Sequence, residues 1–298
     1  MYYVDSYFEI GSSHDICQDY SATYVDDDIA LAAVSDGCSS SHQLCGTTDI
    51  GARAYVWSIL RGGAINDYIR FMTEHPTKPE EIARVIGNHA FRYAEAVKTT
   101  LGLLTYSLDA TLGLAWVRNG KATVIAFGDL DFVVKTKDMP LPVLHSIVYD
   151  SGAPYYLTYD YDCSRGLSYT KEFEGCPVKL VKTTIDDGDA TSEQITSSVQ
   201  DLGDSPSEWR KNCIFHFENV DWIVLFTDGL RSFQKEIDES PGLVNMSENT
   251  IAQHLTKFKN PKGRYVLRRM NMFRKKVMTP QRLLHYDDLG IAAICGTS

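Results

Sequence analysis

The sequence has no apolar run approaching the roughly 18 residues of a membrane-spanning helix. Its start, MYYVDSYFEI, has no basic stretch followed by a long apolar one, so a soluble, cytoplasmic protein is the expectation. A GxxxxGK[ST] loop is missing, which argues against a nucleotide-driven enzyme, and so is GxSxG, which argues against a serine hydrolase. A surplus of positive charge is missing too. With a formal net charge of -10, the chain is a poor general nucleic-acid binder, because phosphate backbones call for Lys and Arg. No two cysteines have the CxxC spacing of a zinc knuckle. Their number, seven, is odd, and the chain is too large to need disulfide staples, so most of them read as small buried hydrophobes kept reduced, with Cys38 an exception because of where it sits.

What is present is a 298-residue chain, 44% hydrophobic and 23% charged, able to bury a sizeable core. Short runs of Val, Ile, Ala and Leu predict buried strands at Ile29 to Val34, Thr111 to Val117, Ala122 to Phe127, Trp222 to Phe226 and Leu289 to Cys295. A helix is predicted from Thr77, with Glu80 completing a capping box, Pro79 in the first turn, and Ile82, Val85, Ile86, Tyr93, Ala94 and Val97 at helical spacing. Further helices are predicted over Gln43 to Leu60 and from Ser247, with Ile251 and Leu255 facing inward. From about Asp138 to Asn219, Pro, Gly, Asp, Ser and Tyr interleave, which reads as an elaborated insertion. Strands that look like one core stand on both sides of it, so the expectation is a single domain over 1–298 carrying an insert at about 138–219.

The informative pattern is where the acids fall. IALAAVSDG, ATVIAFGDLD, WIVLFTDG and DDLGIAAIC each have an Asp at one end of an apolar run. Strand ends emerge at the rim of a sheet, where Asp36, Asp129, Asp228 and Asp287 can share a site. A single such Asp is usually a turn residue; four together point further. Carboxylates held close repel, and bound cations resolve the conflict better than raised pKa values. Oxygen ligands suit Mg2+ or Mn2+, and two such ions can activate water and clamp a phosphoryl group. Gly37, lacking a side chain, lets its carbonyl approach a metal.

On these residues the chain resembles the type 2C metal-dependent protein serine/threonine phosphatases, in their compact bacterial branch. GSSHDICQDY resembles that branch's first motif and puts Asp19 at the first metal-site acid. VSDGCSSS, the DIGAR helix, DATLGLAWV, AFGDLD, FTDGL and YDDLGIAAI follow in the family's order. The resemblance implies an α+β fold of two packed antiparallel sheets flanked by helices, with the insert, including GAPYYLTYDYD, forming a flap beside the active site. It implies two ions, Mg2+ or Mn2+, with a possible third. Asp36 would bridge both, Gly37 would offer its carbonyl, Asp228 and Asp287 would complete the first, Asp19 would hold the second through water, and Asp129 would serve a third. The catalytic set is then Asp36, Asp228 and Asp287, and the reaction is in-line attack of a metal-bridging hydroxide on phosphoserine or phosphothreonine of a protein substrate.

Two positions depart from the pattern. His14 stands where many relatives have a phosphate-binding Arg, and is the candidate for that role or for a structural hydrogen bond. Cys38 stands where some have a His, which leaves no general acid named. From Asn249 to Tyr286 there are ten Lys or Arg and no Asp or Glu, so in a chain of net charge -10 the remainder carries -20. This basic segment, 257–282, with Arg268, Arg269, Arg274, Lys275 and Lys276, reads as a solvated face or as a docking surface for an acidic partner. Thr184 to Glu193 lacks calcium-loop spacing and reads as a solvated loop. The alternatives to a metal-dependent phosphatase are a catalytically silent relative that binds a phosphoprotein or a regulator, and a phosphotransfer enzyme with an aspartyl nucleophile.

Overall fold

The computed structural model describes residues 1–38, 48–61, 63–74, 78–185, 196–236 and 243–297. Two antiparallel sheets form its centre. One has five strands in the order β10 (Ile214–Phe217), β5 (Lys121–Phe127), β4 (Leu112–Arg118), β3 (Ala30–Ser35), β2 (Tyr20–Val25). The other has seven, in the order β1 (Tyr2–Glu9), β15 (Leu289–Gly296), β11 (Val220–Phe226), β6 (Leu130–Thr136), β7 (Val143–Tyr149), β8 (Val178–Thr184), β9 (Ser197–Gly203). The five runs predicted as strands are strands.

Side chains along a strand alternate between faces, and here both faces are covered. On β3, Ala30, Ala32 and Val34 enter the layer between the sheets, while Leu31 and Ala33 turn outward to helices. On β15, Ala292 and Ile294 point inward and Ile291, Ala293 and Cys295 outward. Phe132, Ile223 and Leu225 fill the inter-sheet layer from the larger sheet. Helices α1 (Thr48–Arg61), α2 (Gly63–Glu74) and α3 (Pro79–Leu101) cover the smaller sheet through Tyr55, Ile59, Ile69 and Ile86. Helices α6 (Glu248–Thr256) and α7 (Tyr265–Phe273) cover the larger one through Ile251, Leu255, Met270 and Phe273. Each fully enclosed Leu, Ile or Phe contributes about 1.5–3 kcal/mol. Burial of both faces is why these strands read as continuous apolar runs, and the result is the expected α-β-β-α sandwich.

Helix boundaries show where the sequence misleads. At the start of α3 the N-cap position is Lys78, without a side-chain cap, and Pro79 opens the helix; Thr77, the expected cap, lies outside the described residues. Helix α3 ends at Gly102, whose φ of 66° suits a residue without Cβ. Its buried face is Ile82, Ile86, Ala90 and Ala94, and Tyr93 is exposed. Helix α1 begins at Thr48, and the part of its predicted span before that lies outside the described residues, as does most of Thr184 to Glu193. Segment 138–219 adds β7, β8 and β9 to one end of the larger sheet and β10 to the edge of the smaller. It also carries α4 (Cys163–Glu172) and α5 (Pro206–Asn212). A small third sheet orders β13 (Leu243–Asn245), β12 (Phe233–Glu236) and β14 (Leu283–His285). Among the described residues, no helix is long and apolar enough to cross a membrane.

Candidate metal centre

In antiparallel sheets one end of the sandwich collects the finish of some strands and the start of their neighbours. Tyr20 pairs with Ser35, Leu112 with Phe127, and Phe226 with both Ile291 and Asp131. Asp36 and Asp228 just beyond β3 and β11, Asp19 and Asp287 just before β2 and β15, and Asp129 in the β5–β6 turn therefore lie at the same end. Residues scattered from 19 to 287 are brought together by register alone.

Each carboxyl has a raised pKa, and burial is the largest cause in every case. Asp19 is pushed up to about 7 by burial and by Asp288 and Asp287, against hydrogen bonds that it accepts from Asp36 and from Thr227 Oγ1, the latter at 2.5 Å. Burial lifts Asp36 well above the carboxylate range, and Asp228, Asp19 and Asp129 add to it. Asp228 is lifted likewise by burial, then by Asp129, Asp287 and Asp19. Asp129 is raised by burial and by Asp131 and Asp287 against the opposing Arg231, and its Oδ1 is buried without a hydrogen-bond partner. Asp287 is raised by burial, with the Asp288 backbone N–H and His14 opposing. As the side chains lie, no three His, Cys, Asp or Glu among the described residues close on one point as metal ligands. The acids interact instead through their fields and through the Asp19–Asp36 hydrogen bond. Oxygen-only donors, mutual repulsion and the orphaned Asp129 oxygen fit a hard divalent cation.

The backbone around these acids is tightly set. The Asp36 N–H donates to Thr111 Oγ1 at 3.0 Å, and the Asp36 carbonyl accepts from the Thr111 N–H at 2.8 Å. A Cβ on Gly37 would stand 2.8 Å from the Thr48 carbonyl oxygen, so α1 packing by itself demands glycine there. A Cβ on Gly229 would stand 1.7 Å from the Asp288 carbonyl oxygen, which lets the loop after β11 press onto the start of β15.

Three acids at this end are satisfied by the chain itself, and sequence reasoning passed over all three. Asp131 is fully buried and accepts from Arg231 Nε at 2.9 Å and Nη2 at 2.8 Å. Arg231 loses by burial, yet Asp131, and after it Asp129 and Asp228, hold its pKa up. The run DLDFV, Asp129 to Val133, spells the DxDx[TV] pattern of aspartyl nucleophiles, but its second acid is spent on this guanidinium. Asp288 accepts from the Gly11 N–H at 2.7 Å and the Gln18 N–H at 2.5 Å, tying the loop before Asp19 to the turn that carries Asp287. Asp109 accepts from Thr158 Oγ1 and from both Nη atoms of Arg165, and its carbonyl accepts from the Cys38 N–H. The signals were present as the second Asp of AFGDLD, the Arg of FTDGLR and the doubled Asp of YDDL, but none names its partner.

His14 lies with Nδ1 3.1 Å from Asp288 Oδ2 and 3.7 Å from Asp287 Oδ1, without hydrogen-bond geometry. The histidine that stands at the family's Arg position is thus turned onto the terminal acids. Helix α4 starts at Asp162, whose carboxylate accepts the Arg165 N–H, and aims Arg165 at Asp109. Beside that pair a cavity of about 560 Å³ opens next to Cys38, lined by Tyr106, Tyr156, Tyr159 and Tyr169. Tyr156 and Tyr159 belong to the tyrosine-rich run of segment 138–219.

Residues 11–147 match the family model described as protein phosphatase 2C. No curated protein matches the chain. Among solved structures, the serine/threonine phosphatase Stp1 from Staphylococcus aureus is similar at 10% identity and a TM-score of 0.48, covering all of this chain and 96% of that one. PppA, a regulatory component of the type VI secretion system in Pseudomonas aeruginosa, is similar at 14% identity and a TM-score of 0.49, covering 99% and 98%. RsbX in complex with magnesium is similar at 13% identity and a TM-score of 0.46, covering 99% and 94%. Asp228 and Asp287 lie beyond the matched segment and rest on geometry. From the Gly11 loop through Asp19, Asp36 and Asp129 to β7, this matched segment is similar to protein phosphatase 2C, the family that the chain's motifs resemble.

Proposed function

We propose that the chain is a metal-dependent protein phosphatase that hydrolyses phosphoserine and phosphothreonine. The observation that carries this reading is the gathering of Asp19, Asp36, Asp129, Asp228 and Asp287 at one end of the sandwich, where burial and neighbouring carboxyls raise the pKa of each. Asp36, Asp228, Asp287 and the Gly37 carbonyl, with Asp19, would hold two Mg2+ or Mn2+ ions, and Asp129 a third. When bound, such ions supply a nucleophile at neutral pH and positive charge for the phosphoryl oxygens. The chain's own part is to fix the acids. Thr227 holds Asp19, Thr111 holds the Asp36 backbone, and Asp288 ties the Asp19 loop to the Asp287 turn. Segment 150–173, joined to Asp109 through Arg165, walls the approach beside Cys38. The deciding measurement is Mn2+-dependent hydrolysis of p-nitrophenyl phosphate by wild type, Asp36→Asn and Asp228→Asn; equal turnover by all three rejects the metal mechanism.

The position of His14 favours a second reading, a phosphatase-fold protein that binds a phosphoprotein without turning it over. There the imidazole is occupied by Asp287 and Asp288, where relatives place a cation for phosphate. Saturable phosphopeptide binding with no phosphate release at any Mn2+ concentration would select this reading.

A further inference from the structure

An anionic phosphoprotein approaching this chain meets a net charge of -10 and an acid-lined centre, so long-range repulsion opposes encounter. The segment from 257 to 282 runs the other way. Its ten Lys and Arg have no Asp or Glu among them, and all except Arg269 and Arg274 are exposed. Those two are spent inside the fold. Arg269 Nε donates to the His254 carbonyl, while Arg274 donates to Tyr7 OH and pairs with Glu9. Their role corrects the sequence reading, which counted both in the docking surface.

The Arg274 anchor also fixes where the exposed charges lie. Glu9 faces His285, the His285 carbonyl accepts the Ser12 N–H, and the Tyr286 carbonyl accepts the Ser13 N–H. The π-helical turn Arg274–Met278, which presents Lys275 and Lys276, is therefore fastened to the strand that leads into Asp287 and Asp288. Lys259, Lys262 and Arg264 are exposed too, ahead of the other end of α7.

We propose that this strip, from Lys259 to Lys276, docks an acidic stretch of the polypeptide substrate and delivers its phosphorylated residue to the neighbouring acid centre. Complementary charge of this kind steers encounter and raises apparent affinity without touching the chemistry. The inference rests on the phosphatase reading for what is delivered, while the docking itself is measured separately.

The test compares two phosphothreonine peptides, one carrying a run of Glu and the other a run of Gln in its place. Wild type is expected to show a kcat/KM about tenfold higher for the Glu peptide at low ionic strength, an advantage that shrinks as salt is added. The variant Lys259→Glu/Lys262→Glu/Lys275→Glu/Lys276→Glu should lose that preference and keep its turnover of p-nitrophenyl phosphate. Lys275→Gln/Lys276→Gln removes charge without adding acids and should retain roughly a threefold preference, which guards against misfolding of the reversed variant. Equal kcat/KM for both peptides in wild type, or a preference that survives in the charge-reversed variant, overturns the proposal. Fluorescence anisotropy of the unphosphorylated Glu peptide reads the surface without catalysis. Binding that the charge-reversed variant loses supports docking even if hydrolysis is absent, in which case only the phosphatase reading falls. No binding by wild type, or tighter binding of a single-stranded oligonucleotide of equal charge, overturns it.

Discussion

Asp129 and Asp131 stand two residues apart at the entrance to β6 and meet opposite surroundings. Both oxygens of Asp131 are taken by Arg231, whereas Asp129 has a buried oxygen with no hydrogen-bond partner and a raised pKa. The neighbours Asp288 and Asp287 repeat the contrast. Asp288 is enclosed and holds two backbone N–H groups, while Asp287 is partly exposed and raised. The acids at this end thus divide. Asp109, Asp131 and Asp288 are matched by donors from the chain, and they hold segments of it together. Asp19, Asp36, Asp129, Asp228 and Asp287 are matched mainly by one another. Mutually repelling buried carboxylates cost a fold stability, and a cation among them turns that cost into affinity.

The strongest way to break this comparison is to neutralise one member of the second group. Asp36→Asn or Asp228→Asn should lower Mn2+-dependent turnover of p-nitrophenyl phosphate by roughly a hundredfold or more, while leaving the metal-free melting temperature unchanged or higher, since a repulsion is removed. A drop in metal-free stability would place these acids with the matched group. Asp131→Ala is the converse. It strands the Arg231 guanidinium and should cost about 3 kcal/mol in denaturant unfolding, and Asp131→Ala/Arg231→Met should recover much of that. If the double variant is no better than the single, Asp131 is not acting through Arg231.

Acidity gives a third handle. Asp19 titrates near 7 in the folded chain against a carboxylate value of 3.8, and Asp36 and Asp228 are shifted in the same direction. Between those pH values the folded state binds more protons than the unfolded one. The contribution of Asp19 to stability is therefore complete below about pH 4 and drains as pH rises through 7, and those of Asp36 and Asp228 run in the same direction. Mn2+ competes with those protons, so the rise in melting temperature that it produces should be larger at pH 7.5 than at pH 5. An equal rise at both would mean that the ions bind away from the raised carboxyls.

The sequence carried the strands well because both faces of β3, β4, β11 and β15 are buried, which leaves unbroken apolar runs ending in acids. It was poor at β1, half-buried throughout, and at β9, mostly exposed, since neither shows a run. Within the site it found the acids by position but could not tell matched from unmatched, because the matching groups are distant in the chain. Arg231 lies a hundred residues from Asp131, and Gly11 lies 277 from Asp288. The same blindness put Arg269 and Arg274 on a docking surface when their partners are His254 and Glu9.

Asp288→Asn should have the smallest effect and draws the comparison most finely. An amide keeps one acceptor oxygen and offers an NH2 in place of the other, so either the Gly11 or the Gln18 N–H loses its partner. That costs about 1–2 kcal/mol. The loosened connection lies between the loop before Asp19 and the turn bearing Asp287, so Mn2+ affinity should fall about tenfold while turnover at saturating Mn2+ stays near wild type. Asp287→Asn should instead reduce turnover even at saturation. The measurement is a Mn2+ titration of p-nitrophenyl phosphate hydrolysis for both variants beside their unfolding curves. Should Asp288→Asn lose turnover at saturation as severely as Asp287→Asn, Asp288 would belong with the acids that hold the ions, and the division between matched and unmatched carboxylates would fail at the pair where it is narrowest.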